Sequence, residues 1–227
     1  MWLNMIVEGQ TEQIFARDVI GNYLTQFEIY VAVRRVRTGA EKGRIRRGGM
    51  TTYAKAQNDI KRWMKQNKGK NFRFTTMFDL YGLPNDFPGF SLTGKSIDPY
   101  KRIEALEYAF GEDIRDERFV PYIQLYEFET LLFADPQKFE TMFIRHTAQI
   151  ENLKKTASLF SSPELINDGS ETSPSKRIIK EIPDYRNWKS TAGPNIAKAI
   201  GLNHIRKKCP HFDKWIIKLE SLRNTES

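Results

Sequence analysis

The fold is decided by the N-terminal stretch Trp2-Leu3-Asn4-Met5-Ile6-Val7-Glu8-Gly9-Gln10-Thr11-Glu12. Its first six residues have the apolar character and the length of a short buried strand, and the chain turns abruptly polar at Glu8. Gly9 allows a sharp bend at this point, and Thr11 is a suitable N-cap for a helix over residues 12–25. The stretch therefore predicts a strand-to-helix turn with Glu8 at the carboxyl end of the strand.

The same alternation continues along the chain. Further strands are predicted over residues 28–36, 72–78 and 119–126, separated by predicted helices over 51–67 and 99–110. Strands that alternate with helices predict an α/β fold with a parallel, Rossmann-like sheet flanked by helices. The later part reads as helical, over residues 136–160, 174–181, 194–208 and 211–223. We therefore expect an α/β domain over residues 1–130 and a helical C-terminal extension over residues 131–227 packed on it.

Composition narrows the class of protein. The 227 residues include one cysteine, Cys209, which excludes an intrachain disulfide and a cysteine-only zinc cage. No apolar run approaches the roughly 18 residues of a membrane span, and the N-terminus lacks the basic start of a signal peptide. These features predict a cytoplasmic protein without a membrane segment. They leave a homo-oligomer open.

The net charge of +8 is concentrated in one window. Fourteen Lys and Arg residues against two acids, Glu41 and Asp59, fall between residues 34 and 73. A basic patch of this kind is typical of a protein that binds a phosphate backbone, although a solvated helix face has similar composition. We expect Arg44, Arg46 and Arg47, in the glycine-rich part of this window, to contact nucleic acid. Outside it, the expected phosphate contacts are Lys95 in a loop and Lys176 and Arg177 at a helix start.

Carboxylates follow three of the predicted strands. Glu8, Asp79 and Glu127 come at strand ends, with Glu12 one helical turn after Glu8 and Glu129 two residues after Glu127. Carboxyl ends of parallel strands lie on one edge of the sheet, where ligands bind, so these side chains are expected to converge. Clustered carboxylates repel one another and favour a cation, and all-oxygen ligands suit Mg²⁺ or Mn²⁺. Each acid alone is also compatible with a helix cap or a surface charge.

Several motifs then resemble a known family. The turn at residues 7–12 resembles the first Toprim motif, especially its form in OLD-type nucleases. Together with the stretches at 78–84, 127–133, 174–178 and 209–212, it is similar to the DUF4276 family over nearly the whole chain.

The resemblance implies a Toprim-like fold and a Mg²⁺- or Mn²⁺-dependent nuclease that acts with an AAA/ABC-type ATPase in bacterial defence against phage. It implies that Glu8 and Asp79 are catalytic. The metal ligands expected from the carboxylates at the strand ends are Glu8, Glu12, Asp79, Glu127 and Glu129. The sequence departs from the Toprim pattern at Tyr81, where the second aspartate is expected. A non-catalytic nucleic-acid-binding or regulatory subunit with a vestigial site is therefore the alternative function.

Overall fold

A parallel sheet forms the centre of the protein. The computed structural model describes residues 1–36, 50, 52–92, 98–167, 169 and 171–226. Within these ranges the sheet has five strands in the order β2-β1-β3-β4, with β5 also paired to β3. All of these pairs are parallel. The strands are β1 (Trp2–Val7), β2 (Tyr30–Arg35), β3 (Phe72–Asp79), β4 (Phe119–Val120) and β5 (Ile123–Gln124).

Helices connect the strands and make up most of the C-terminal half. They are α1 (Gln10–Phe15), α2 (Asn22–Leu24), α3 (Tyr53–Gln66), α4 (Pro99–Ile114), α5 (Thr147–Ser158), α6 (Pro174–Glu181), α7 (Tyr185–Ile200), α8 (Leu202–Lys208) and α9 (Pro210–Glu220). A π-helical segment, Ala16–Gly21, joins α1 to α2. None of the helices in the described part of the chain is long and apolar enough to cross a membrane.

The two faces of the sheet bury different cores. Leu3, Met5 and Val7 of β1 point to the face covered by α1 and the C-terminal helices, whereas Ile6 points to the face covered by α3 and α4. A strand buried on both faces needs an almost continuous apolar sequence, as β1 has. The expected α/β architecture, a parallel sheet flanked by helices with a helical C-terminal part, is confirmed and is consistent with a Toprim-like fold. The division into two domains near residue 130 stays a prediction.

The predicted strand over residues 119–126 is shorter and interrupted. It forms β4 and β5, and Pro121 lies in the gap between them. Proline has no N–H to donate to a ladder, so an uninterrupted strand would lose a hydrogen bond there. After β5 the backbone turns sharply, because Tyr126 adopts a left-handed conformation with φ of 60°.

The helices after residue 130 also differ from expectation. The predicted helix over 136–160 is a 3₁₀ segment, Pro136–Thr141, followed by α5. Pro194 was expected at the first turn of a helix but lies inside α7, which begins nine residues earlier at Tyr185. This difference matters because the early turns of α7 lie beside the carboxylates.

Candidate functional site

The site begins where β1 and β3 end side by side. Val7 pairs with Met77 in parallel register, so Glu8 and Asp79 leave the sheet at the same edge. Glu8 Oε1 accepts a hydrogen bond from the Asp79 N–H at 3.0 Å. Asp79 also pairs with Gln124 of β5, which brings the chain leading to Glu127 to this edge. The expected convergence of these strand ends is therefore seen in the backbone.

The absence of a side chain at Gly82 makes room for the Glu8 carboxylate. A Cβ atom at residue 82 would lie 2.5 Å from Glu8 Oε2 and 2.8 Å from Oε1, closer than real Cβ atoms come to other atoms. The 3₁₀ turn Leu80–Gly82 therefore rests directly on this carboxylate. Only a residue without a side chain allows this approach.

Glu12 lies on the first turn of α1 and is buried. Its Oε2 accepts a hydrogen bond from the Gly9 N–H at 2.9 Å, so the carboxylate caps the helix on which it stands. This fits the reading of Glu12 as a first-turn acid that complements the helix dipole. The same carboxylate also raises the pKa values of Glu8 and Asp79, so it belongs to the cluster as well.

Glu129 is wholly buried on the 3₁₀ segment Phe128–Ala134. The Tyr185 hydroxyl donates to Glu129 Oε1 at 3.0 Å, and Lys189 Nζ lies 3.1 Å from Oε2. Both partners come from α7, one helical turn apart. The chain thus supplies its own cation to the most deeply buried acid of the group.

Glu127 has a different partner. Its Oε1 accepts a hydrogen bond from the Ser175 N–H, and its Oε2 accepts one from the Ser175 hydroxyl at 2.9 Å. Glu127 therefore caps the start of α6, where the sequence suggested an anion site. Lys189 interacts electrostatically with both Glu127 and Glu129, because each of these acids raises the pKa of the lysine.

Burial and mutual repulsion raise the pKa values of Glu8, Asp79 and Glu129. Burial, with Glu12 as the second cause, raises the pKa of Glu8 from 4.5 to about 8. Burial and then the charges of Glu12, Glu8 and Glu129 raise the pKa of Asp79 well above its usual value. Burial raises the pKa of Glu129 to about 7, although Lys189 opposes the shift. A cation placed among these groups would favour their charged forms.

Two buried oxygens of the cluster receive no hydrogen bond from the described residues, and one of them, Glu129 Oε2, has the Lys189 ammonium 3.1 Å away. Asp79 Oδ1 is buried and receives no hydrogen bond from the described residues. A buried acceptor without a partner is costly, and such exceptions often mark a site for a ligand, an ion or a water.

Lys189 offers charge compensation, and its side chain is 38% exposed. Burial lowers its pKa, but Glu129, Glu127 and Asp79 outweigh this and raise it.

The donor set suits a divalent cation in its chemistry. Glu8, Glu12 and Asp79 supply carboxylate oxygens, and Asp79 Oδ1 is uncommitted. Hard cations such as Mg²⁺ and Mn²⁺ prefer such ligands. Among the residues that the structure describes, however, no group of three or more His, Cys, Asp and Glu side chains is arranged to hold a metal ion. In this conformation the oxygens therefore fit the ion by type and do not yet enclose it.

Of the six predicted phosphate contacts, the structure describes Lys176 and Arg177. Arg44, Arg46, Arg47 and Lys95 lie outside the described residues. Lys176 Nζ pairs with Glu171 at 2.8 Å, and Arg177 Nε donates to the Thr172 carbonyl at 2.7 Å. Their role in binding nucleic acid stays a prediction.

The basic segment that contains Arg44, Arg46 and Arg47 begins beside the acids. The Val36 N–H donates to the Val7 carbonyl at 2.8 Å, so the chain leaves β2 at the edge where Glu8 lies. On the far side of the segment, the Tyr53 N–H donates to both oxygens of Asp86, in the loop after β3.

Lys189 and Tyr185 were missed by the sequence reasoning. Tyr185, Lys189 and Gly193 recur at four-residue spacing, which places them on one helix face. A Cβ on Gly193 would lie 3.0 Å from the Tyr185 hydroxyl and 3.1 Å from Phe128, so this face packs tightly against the segment carrying Glu129. The spacing was a usable signal. It was missed because the helix was expected to start at Pro194.

Fold and site together define a class: an α/β protein with a carboxylate cluster at the carboxyl edge of its parallel sheet. The family model "Domain of unknown function (DUF4276)" matches residues 7–220. The chain therefore belongs to the DUF4276 family.

Two further comparisons add little. The chain is similar to a solved structure of the C-terminal region of the Xanthomonas campestris pv. campestris OLD protein, with 15% identity, 95% of each chain covered and a TM-score of 0.40. At this TM-score, no property of that protein can be transferred to the chain. No curated protein matches the chain.

Proposed function

We propose that the protein is a Mg²⁺- or Mn²⁺-dependent nuclease that hydrolyses phosphodiester bonds of DNA or RNA. The observation that carries this proposal is that the buried Oδ1 of Asp79 receives no hydrogen bond from the described residues and belongs to a group of carboxylates with raised pKa values. Burying such a carboxylate lowers the stability of the folded protein, and a bound cation would offset this cost. The basic window of the sequence provides charge to hold a phosphate backbone.

Asp79, Glu8 and Glu12 would hold the cation. It would neutralise their charge and polarise the scissile phosphate. Glu8 would be either a ligand or the base that orients the attacking water, because a cation beside it would favour its charged form. Lys189, partly exposed beside Glu129, is placed to hold negative charge that enters the site. Glu127 and Glu129 are committed to Ser175, Tyr185 and Lys189, so binding a metal would require them to exchange these partners.

A second function is favoured by specific observations. Tyr81 stands where the Toprim pattern has its second aspartate, and Lys189 already compensates part of the negative charge. A non-catalytic nucleic-acid-binding or regulatory subunit would have these features as well. Under either function, the resemblance to Toprim and OLD-type proteins supports a cytoplasmic role in phage defence with an AAA/ABC-type ATPase as partner.

The test is metal-dependent cleavage by the wild type and by Asp79→Asn. Labelled single-stranded and double-stranded DNA and RNA are incubated with Mg²⁺, Mn²⁺ or EDTA, with and without an AAA/ABC-type ATPase as the proposed partner. We expect cleavage by the wild type with either metal and at least a 100-fold loss in Asp79→Asn, because the substitution removes the negative charge and one of the two ligand oxygens of Asp79. Glu104→Gln, which removes one negative charge at the exposed ion pair with Lys214, is the matched control and should cleave normally.

Absence of cleavage by the wild type under all these conditions would reject the nuclease. Nucleic-acid binding that persists in that case would support the regulatory subunit. Equal cleavage by wild type and Asp79→Asn would reject this site as the origin of the activity.

A further inference from the structure

Two large, exposed aromatic side chains are sequence neighbours of residues that contact the carboxylate cluster. Tyr81 is 43% exposed and follows Asp79 by two residues. Trp188 is 57% exposed and directly precedes Lys189 on α7. Exposed aromatic surface costs free energy in water unless something covers it. The two residues come from separate elements that both contribute to the cluster.

The backbone holds Tyr81 firmly in position. Its N–H donates to the Tyr126 carbonyl at 3.0 Å, and the two rings lie 5.4 Å apart at an angle of 37°. Tyr126 adopts its left-handed conformation directly before Glu127, and such conformations in non-glycine residues cluster at functional sites. On the other side, Gly82 rests on the Glu8 carboxylate. The turn that carries Tyr81 is therefore held against the Glu8 carboxylate.

Trp188 is placed by the same helix that supplies the cation. Tyr185 and Lys189 both contact Glu129, which fixes the rotation of α7 at this turn. Trp188 lies between them in sequence and points to solvent instead of to the core. It carries the larger aromatic surface of the two.

We propose that Tyr81 and Trp188 form stacking surfaces for unpaired bases, so that the ligand of this site is single-stranded nucleic acid. The inference rests on the proposed function, since it names the substrate class of the same carboxylate cluster. Inside a duplex both faces of a base are covered by its neighbours, whereas an unpaired base offers a free face to an aromatic ring. Stacking of this kind accepts any base and accompanies backbone binding by positive charge.

The test measures binding in EDTA, where metal-dependent cleavage is stopped. Fluorescence anisotropy with labelled single-stranded DNA and RNA of 12 nucleotides, and with a blunt duplex, compares the wild type with Tyr81→Ala and Trp188→Ala. Each substitution should weaken single-strand binding about 5- to 150-fold, while duplex binding through phosphates stays unchanged. Tyr81→Phe keeps the ring and should bind nearly as the wild type does.

Tyr108→Ala is the matched control, because Tyr108 is 72% exposed on α4, which supplies no acid of the carboxylate cluster. It should not change single-strand affinity. Thermal unfolding of each variant verifies that it is folded, and Trp188→Ala tests the inference independently of the Tyr81–Tyr126 contact.

The inference is overturned if the wild type does not bind single strands, or if both alanine variants bind them as the wild type does. The aromatic residues would then be a contact for another protein. Equal weakening of single-strand and duplex binding would also overturn it. Failure of the nuclease is a separate result: aromatic-dependent single-strand binding without cleavage rejects only the nuclease, and cleavage without it rejects only the stacking surfaces.

Discussion

Replacing Lys189 by Met should destabilise the protein in a manner that depends on pH. Lys189 Nζ lies 3.1 Å from Oε2 of the wholly buried Glu129, and the substitution removes this charge while keeping a long apolar side chain. Breaking a buried ion pair by removing one partner costs roughly 3–5 kcal/mol. Because the Lys189 side chain is 38% exposed, solvent screening reduces this cost, and we expect about 1–3 kcal/mol.

The sign of the pH dependence follows from Glu129. Its pKa is about 7 in the folded protein, above the ordinary value of 4.5, so the folded state binds more protons than the unfolded state between these pH values. Stability therefore falls as pH rises through this window. Without Lys189, which lowers the pKa of Glu129, the window extends to higher pH. The variant should lose more stability at pH 8 than at pH 5.5, where Glu129 is already protonated in the folded state.

Thermal unfolding followed by circular dichroism measures the effect. For a chain of this length, about 1–3 kcal/mol corresponds to a fall in Tm of roughly 2–12 °C. At pH 8 the fall should be at least twice that at pH 5.5, and Mg²⁺ should restore part of it if a divalent cation binds among the acids. Lys198→Met, the same change at an exposed position of α7, is the control and should shift Tm by less than about 2 °C at either pH. An equal loss at both pH values would refute the charge-pairing argument.

Two further substitutions test the supports of the site and of the fold. Gly82→Ala places a Cβ 2.5 Å from Glu8 Oε2, so it should lower cleavage at least tenfold and stability by about 1–3 kcal/mol, whereas Gly111→Ala, whose Cβ would meet Pro121 at 3.6 Å, should be neutral or stabilising in the same assays. Glu164→Ala leaves two N–H groups at the start of α9 without their acceptor, those of His211 and Phe212 at 2.9 and 2.8 Å. It should lower stability by roughly 2–6 kcal/mol in denaturant titrations, and equal losses in Glu164→Ala and Glu164→Gln, which keeps one acceptor oxygen, would contradict this account.

The central strands were predictable from the sequence because their signals are local. β1 and β3 are buried on both faces and read as short apolar runs that end at an acid. Parallel pairing then places those acids on one edge, so the contact between Glu8 and Asp79 follows from pattern and topology together. No further information was needed for this part of the site.

The partners of the acids were less accessible to sequence reasoning. Lys189 lies sixty residues from Glu129 along the chain, and nothing local to either residue indicates their pairing. The helix start at Lys176 and Arg177 was predicted, but the anion that occupies it is Glu127 of the same chain, which accepts a hydrogen bond from Ser175. Helix caps and ion pairs between distant segments depend on how the C-terminal helices pack on the sheet, which periodicity does not reveal.

The placement of charge argues that the cluster is retained for function and not for stability. Each acid whose pKa is raised by burial makes the folded state less stable at neutral pH than a neutral side chain of similar shape would. Lys189 pairs with Glu129 and Ser175 with Glu127, whereas Asp79 keeps an oxygen that receives no hydrogen bond from the described residues. A chain selected for stability alone would replace Asp79 by Asn or by an apolar residue. Under the proposed function, a cation and a phosphate would complete the charge balance at the end of this central strand.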